Sequence, residues 1–288
     1  MGYRQPQMAG YFYPGDKSEL LKSIESCFKS SIGPGRLPDE VEKLPELMIK
    51  GLVSPHAGYI YSGPIAAWGY LRLSQAKKPK TVILVGPNHR AMGPSFAIFP
   101  EGIWATPFGE VNIDSEVSSF LMDGLDFLKP DEIAHQYEHS IEVQLPFLQY
   151  ILGSDFFIVP IIVSSYDIEK LNLLGMRISK LQRDDILFIS SSDFSHYISA
   201  SLAKKMDMEA INYILSGNPS EFLRRVLYGR LSICGAGPIS SLLYYVKLEH
   251  NVQARLLKYG TSGDITGDFS EVVAYASISF EKILSEVI

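Results

Sequence analysis

The sequence predicts an α/β fold, a central sheet between layers of helices, built as a single domain. Apolar, β-branched runs alternate along the chain with segments whose apolar residues recur at helical spacing, the pattern of helices covering a largely buried sheet. Of 288 residues, 46% are apolar and 11% aromatic, enough to bury a large core. Pro/Gly-rich stretches such as Ile32-Gly-Pro-Gly-Arg-Leu-Pro38 are brief enough to be loops, and no long linker, repeat or low-complexity tract divides the chain. Residues 1–288 are therefore read as one domain.

In chain order, a first helix is expected over 17–28, followed by a strand over 47–54 and a helix over 64–73. Strands over 81–86 and 95–99 precede helices over 115–125 and 139–151. The run Phe156-Phe-Ile-Val-Pro-Ile-Ile-Val163 is the longest strongly apolar stretch. It falls far short of the roughly 20 residues that cross a bilayer, and Pro160 interrupts it, so it reads as a buried strand. A helix over 168–181, a strand over 186–191, helices over 201–215, 219–228 and 238–247, and strands over 253–259 and 272–280 complete the pattern. Several of these helices open at a Ser, Asp or Pro suited to a helix N-terminus.

A formal net charge of −6 gives no basic footprint, so nucleic acid is not an expected partner. The opening Met-Gly-Tyr-Arg-Gln-Pro lacks the apolar core of a secretory signal, and a cytoplasmic protein without membrane attachment is expected. Two cysteines, Cys27 and Cys234, exclude a disulfide framework and leave room for one bridge at most. Cys27, in "LLKSIESCFKS", reads as packing on a helix.

Functional loops of open α/β sheets gather where strands end, so histidine placement is informative. His56 follows the 47–54 run in "SPHAG", His89 follows 81–86 in "VGPNHR", and His196 follows 186–191 in "SSSDFSHY". His135 and His139 stand in "AHQYEHSIEVQLPF", while His250 in "LEHN" has a surface-like context. Imidazole suits iron, zinc, copper or nickel, and a thiolate is a strong soft donor. Cys234 in "SICGAGPIS" precedes a proline-led helix, whose N-terminus is expected to lower its thiol pKa. Two histidines and one soft or anionic ligand leave coordination positions open, as reactive metals require.

Asp193, three residues before His196, is expected to fix that imidazole's tautomer or order its turn, which makes His196 a candidate general base. The plainer alternative is a helix cap. Glu142 stands three residues after His139, close enough on a helical face to hydrogen-bond it from outside the ligand set. The pair His135 and His139 is not a zinc-protease motif, because Gln136 occupies the position that needs glutamate. "CGAGPIS" lacks the third glycine and the preceding strand of a dinucleotide fingerprint. "GTSGDITGDFS" reads as a flexible loop.

Six segments, "AGYFYPG", "PHAGYIYSG", "GPNH", "EHSIEVQLPF", "SSDFSH" and "ICGAGP", resemble the Memo family in content and order and together span most of the chain. Prokaryotic members of that family carry the label AmmeMemoRadiSam system protein B. The resemblance implies a three-layer sandwich with a central mixed sheet, similar to class III extradiol dioxygenases. It further implies that His56, His89 and Cys234 form a metal site for iron or copper, with His196 beside it. In the dioxygenases a carboxylate stands where this sequence has Cys234, so their activity is not implied along with the fold. Three readings follow from the resemblance: a metal-binding protein supporting a redox or modification step, an extradiol-type oxygenase with His196 as base, and an adaptor. The last rests on eukaryotic relatives described as recognising phosphotyrosine peptides, and implies a protein partner or other ligand in a cleft.

Overall fold

A computed structural model describes residues 2–284. Its strands are β1 (Gly2–Arg4), β2 (Leu47–Ser54), β3 (Thr81–Pro87), β4 (Phe96–Ile98), β5 (Gly102–Thr106), β6 (Gly109–Ile113), β7 (Lys129–Pro130), β8 (Phe157–Val163), β9 (Ile186–Ser191), β10 (His196–Ile198), β11 (Val252–Thr261) and β12 (Val272–Ile283). The helices are α1 (Lys17–Lys29), α2 (Tyr59–Gln75), α3 (Ser115–Asp123), α4 (Ile133–Gln136), α5 (Leu145–Leu152), α6 (Ile168–Ser179), α7 (Ala200–Leu215), α8 (Pro219–Gly229), α9 (Ala236–Lys247) and α10 (Gly263–Thr266). A 3₁₀ turn, Glu142–Gln144, leads into α5. None of these helices is long and apolar enough to cross a membrane.

The twelve strands form one mixed sheet in the order β1-β5-β6-β8-β3-β9-β2-β12-β10, with β11 also on β12, β4 on β8, and β7 on β4. Its centre, β8-β3-β9-β2, is parallel, and Leu84 lies opposite Pro160 on one side and Ile189 on the other. These strands are buried on both faces, which is why they read as unbroken apolar runs. Side chains alternate between the two layers with the strand period of two. Val85, Ile161 and Phe188 join Leu171 of α6, Ile211 of α7, Phe222 of α8 and Leu242 of α9. Leu84, Ile162 and Ile189 join Leu20 and Ile24 of α1, Tyr70 of α2 and Leu148 of α5. The expected three-layer α/β arrangement with a mixed sheet is what the chain adopts.

Pro160 sits inside β8 without breaking it. On that flank of β8, β6 pairs with Phe157 and Ile158, and β4 with Ile161 to Val163, so Pro160 falls between the two partners. Its carbonyl accepts Phe99 N–H at 3.1 Å on that side, and the missing N–H faces the same gap between the two partner strands. Pro64 likewise lies inside α2, which begins at Tyr59 rather than at the proline. The carbonyl it leaves unbonded is that of Ile60, which is exposed to water.

The largest departure from expectation is at 139–151. Regular helix begins only at Leu145, one residue before Pro146, and His139 stands outside it. The backbone ahead of it is used otherwise: Ser140 N–H donates to the Glu138 carboxylate and Ser140 Oγ to the Pro87 carbonyl.

Candidate metal centre

Because β2, β3 and β9 are parallel neighbours, their C-terminal ends meet at one edge of the sheet, and the residues that follow carry His56, His89 and Asp193. Cys234 arrives from the opposite direction, in the loop before α9, which packs across β9 and β3. Gly235 lets this loop approach, since a Cβ there would lie 2.5 Å from the Ser191 carbonyl oxygen. Thus four distant segments deliver polar side chains to one place.

His56 is 1% exposed, and its ring is fixed by a chain of hydrogen bonds. Ser191 Oγ donates its single proton to the Ser140 carbonyl at 2.5 Å and accepts from Gln144 Nε2 at 2.8 Å. It therefore has no proton for His56 Nδ1 at 2.9 Å, and the imidazole must be the donor there. Gln144 is fixed in turn, because Nε2 also donates to the Pro55 carbonyl at 2.9 Å and Oε1 accepts from Tyr70 OH at 2.6 Å. With the ring proton on Nδ1, His56 presents its Nε2 lone pair to Cys234 Sγ, 3.2 Å away.

His89 is fixed by Glu138. One carboxylate oxygen accepts His89 N–H at 2.6 Å, and the other accepts Ser140 N–H at 2.9 Å and faces His89 Nδ1 at 2.9 Å. An acceptor-only carboxylate places the ring proton on Nδ1 and again leaves Nε2 as the lone pair. Ligand atoms of His56, His89 and Cys234 all lie within 4.8 Å of one another. Metal–nitrogen bonds of about 2.1 Å and metal–sulfur bonds of about 2.3 Å set tetrahedral neighbours about 3.5 Å apart, so a metal fits this group with small adjustments.

His139 completes the surroundings. Its ring stacks between Phe12 and His89, with centroids 4.5 Å from each, and meets His56 edge-on at 5.2 Å. His89 and Cys234 also line a cleft of about 250 Å³ with Asn88, Ser164 and Tyr166.

Comparison with known proteins gives this geometry its relatives. Residues 4–279 match the family model described as Memo-like protein. The chain belongs to the Memo family. It is 41% identical to a MEMO1 family protein of Methanopyrus kandleri over 97% of this chain and 99% of the relative. A MEMO1 family protein of Ignicoccus hospitalis is also 41% identical, over 96% of this chain and 98% of the relative. Among solved structures, an uncharacterized protein of Escherichia coli K12 aligns with 80% of this chain and 99% of its own, at a TM-score of 0.48 and 12% identity.

Electrostatics in this Memo-family site push most groups toward neutrality. Burial, reinforced by His89, holds His56 well below its ordinary pKa. Burial and then His56 lower His139 to about 3. In the other direction, burial raises the Asp193 carboxyl, and burial together with Asp193 raises the Cys234 thiol. That reverses the expected lowering of the thiol by α9, since burial and the Asp193 carboxylate outweigh the opposing hydrogen bonds from Asp193, Ser192 and Gly235. Sγ accepts Asp193 N–H at 3.2 Å. Glu138 is the exception. Burial opposes its charge, yet the bonds from His89 and the neighbouring imidazoles outweigh it and hold the carboxyl at about 2. Among the described residues no Lys or Arg side chain pairs with Glu138.

Several sequence expectations need correction. Asp193 does not bond His196: its carboxylate accepts His56 N–H at 2.8 Å, and α7 starts well beyond it. His196 instead takes its tautomer from the Ser232 carbonyl, which accepts Nδ1–H at 2.7 Å. Glu142 does not touch His139; it anchors the N-terminal segment through Arg4 at 2.6 Å. His135 is buried away from the cluster, donating Nδ1–H to the Asp131 carbonyl at 2.8 Å and packing edge-on against Phe99 and Trp104. Both cysteines are free thiols, and Cys27 packs in the helical layer as expected. The residues that orient the imidazoles, Glu138, Ser191, Gln144 and Ser232, were not singled out beforehand. Only Glu138, beside His139, carried a local signal.

Proposed function

We propose that this Memo-family protein binds iron or copper through His56 Nε2, His89 Nε2 and Cys234 Sγ, and that the centre supports a redox or modification step in the cytoplasm. The observation that carries the reading is the pair of hydrogen-bond chains that leave Nε2 as the lone pair of both imidazoles, that of His56 3.2 Å from Cys234 Sγ, in a group whose ligand atoms lie within 4.8 Å of one another. The electrostatics point the same way: a buried, ionised Glu138 without a protein cation is a site that gains from an external one. Two imidazoles and a thiolate suit iron or copper, and three protein ligands leave positions open. When bound, such a metal supplies a one-electron couple and a place for a small molecule to coordinate.

The residues of the chain have separate tasks. Ser191 and Glu138 hold the two rings, and Asp193 N–H holds the sulfur. Cys234 must lose its proton to ligate, so uptake releases a proton and weakens in acid. A dioxygenase reading has less support, because the third corner is sulfur, while both Glu138 oxygens and Asp193 Oδ1 already accept protein N–H groups.

Anaerobic titration of the reduced protein with Fe(II) and with Cu(I) tests the proposal. One equivalent is expected to bind, with uptake lost in His56→Ala and in Cys234→Ser. Uptake unchanged in both variants would defeat it.

A further inference from the structure

Each imidazole of the proposed centre has a side chain that fixes it, Ser191 for His56 and Glu138 for His89. The sulfur is held by a backbone group, Asp193 N–H at 3.2 Å, so its setting depends on what secures the turn from Ser192 to His196. Upstream, Ser192 N–H donates to the Ser54 carbonyl at 2.9 Å and ties the turn to β2. Downstream, Phe194 N–H donates to the Ala274 carbonyl and Ala274 N–H to the Ser195 carbonyl, both at 2.8 Å, which ties it to β12. A side chain also reaches the turn from the helical layer: Asp207, midway along α7.

Asp207 is completely buried. Its Oδ1 accepts Ser195 Oγ–H at 2.6 Å, and its Oδ2 accepts Ser195 N–H at 3.3 Å and Tyr259 OH at 2.8 Å. Both hydrogens that Ser195 can donate go to one carboxylate, which grips the residue by backbone and side chain together. Like Glu138, Asp207 has no lysine or arginine paired with it among the described residues.

The gripped serine connects in both directions to the site. Two positions before it, Asp193 gives its N–H to Cys234 Sγ and accepts His56 N–H on its carboxylate at 2.8 Å. One position after it, His196 donates its N–H to Ser232 Oγ at 2.8 Å and Nδ1–H to the Ser232 carbonyl at 2.7 Å, and Ser232 stands two residues before the sulfur. Displacing Ser195 therefore moves the donor to the sulfur and the loop that carries the sulfur.

We infer that Asp207 is a positioning residue for the sulfur corner of the centre: by holding Ser195 it sets Asp193 N–H against Cys234 Sγ and fixes the loop from Ser232 to Cys234. The inference rests on the metal reading for its consequence and not for its geometry. Hydrogen bonds to a metal-bound sulfur tune the affinity and potential of a thiolate centre, so a change at Asp207 is felt at the metal although its carboxylate bonds none of the three ligands.

In the full ¹⁵N-labelled chain loaded with ¹¹³Cd(II), the Asp193 amide proton should show scalar coupling to the metal across the N–H···S bond. Asp207→Leu removes every acceptor for Ser195 at nearly unchanged size. The coupling should be lost, and Cd(II) affinity per folded molecule, by competition with a chelator, should fall by about tenfold, the loss typical of an outer hydrogen-bonding partner. Asp207→Asn can turn its oxygen to Ser195 N–H and Tyr259 OH and its amide N–H to Ser195 Oγ, and should restore both. Tyr259→Phe removes a bond to Asp207 but none to Ser195, and should keep the coupling. Ser195→Ala, a milder change for use if Asp207→Leu does not fold, should weaken the coupling in the same direction. Unchanged coupling and affinity in Asp207→Leu, or in Ser195→Ala where it stands in, would overturn the inference, as would wild-type protein that binds Cd(II) without coupling at Asp193. If the wild type takes up no metal, the metal reading fails, and the inference is decided in the metal-free protein: the Asp193 amide proton should move upfield in Asp207→Leu and in Ser195→Ala and stay in place in Asp207→Asn, and an unmoved signal in the first two overturns it.

Discussion

Glu138 and Glu142 lie four residues apart in one segment, both buried, yet they are solved differently. Glu142 is surrounded: Arg4 Nη1 at 2.6 Å supplies the counter-charge, and Met8 N–H, Gln7 N–H and Tyr13 OH at 2.8, 3.1 and 2.6 Å fill the remaining lone pairs. Glu138 has no arginine or lysine among the described residues, and its partners are two backbone N–H groups and an imidazole. A carboxylate that builds structure comes with its own cation. In the proposed site, Glu138 holds other side chains and leaves the positive charge to be supplied by the metal.

The strongest way to break this comparison is Glu142→Ala, which strands the Arg4 guanidinium in the interior. It should cost about 3–5 kcal/mol of stability, read by denaturant unfolding, with metal uptake per folded molecule unchanged. A loss under 1 kcal/mol, on the order expected of a surface pair, would show that Glu142 is not the anchor described.

Acid comes next and acts on the open side. Neutral His139, with its pKa lowered from 6.5 to about 3, takes up a proton more readily when unfolded, so stability is complete above pH 6.5 and falls as the pH drops toward 3. Glu138, lowered from 4.5 to about 2, adds a further loss below pH 4.5. Together these should remove several kcal/mol by pH 3, and His139→Phe should flatten the upper part of the curve. A flat profile between pH 6.5 and 4.5 in the wild type would contradict the buried neutral ring.

Glu138→Gln tests the same side without changing its shape. Metal affinity should fall by 10- to 100-fold, by analogy with other carboxylate–histidine pairs, measured by competition with a chelator. Equal affinity in the variant would remove Glu138 from the site. Smallest is Tyr13→Phe, which deletes one of four bonds to Glu142 and should cost about 1.5 kcal/mol in the same unfolding assay, with no change in metal binding.

The sequence announced the central strands because they are buried on both faces, and 47–54 and 186–191 coincide with β2 and β9. The short strands β1, β5, β6, β7 and β10 escaped notice. They lie on the flanks of the sheet, carry few consecutive apolar residues, and owe their conformation to partners supplied by the fold. In the site, His56, His89 and Cys234 were legible as residues at element ends, and the chain brings them together. What holds them was not legible: Ser191 is 135 positions from His56, Glu138 is 49 from His89, and Ser232 is 36 from His196. Serine and glutamate are too common to be noticed without those distances being closed. His135 and Glu142 misled for the opposite reason, since a histidine or glutamate near others in sequence can still turn to a different part of the interior.

Arg4 also reaches past Glu142, donating to the backbone carbonyls of His135 at 2.8 Å and Glu138 at 2.9 Å, while Phe12 lies flat on His139. Residues 4–12 are therefore a brace for the wall that carries His139 and the glutamate behind His89. Trimming this stretch, or fusing a tag that prevents it from seating, is expected to disturb the proposed centre, whose nearest ligand in sequence, His56, is encoded more than forty codons downstream.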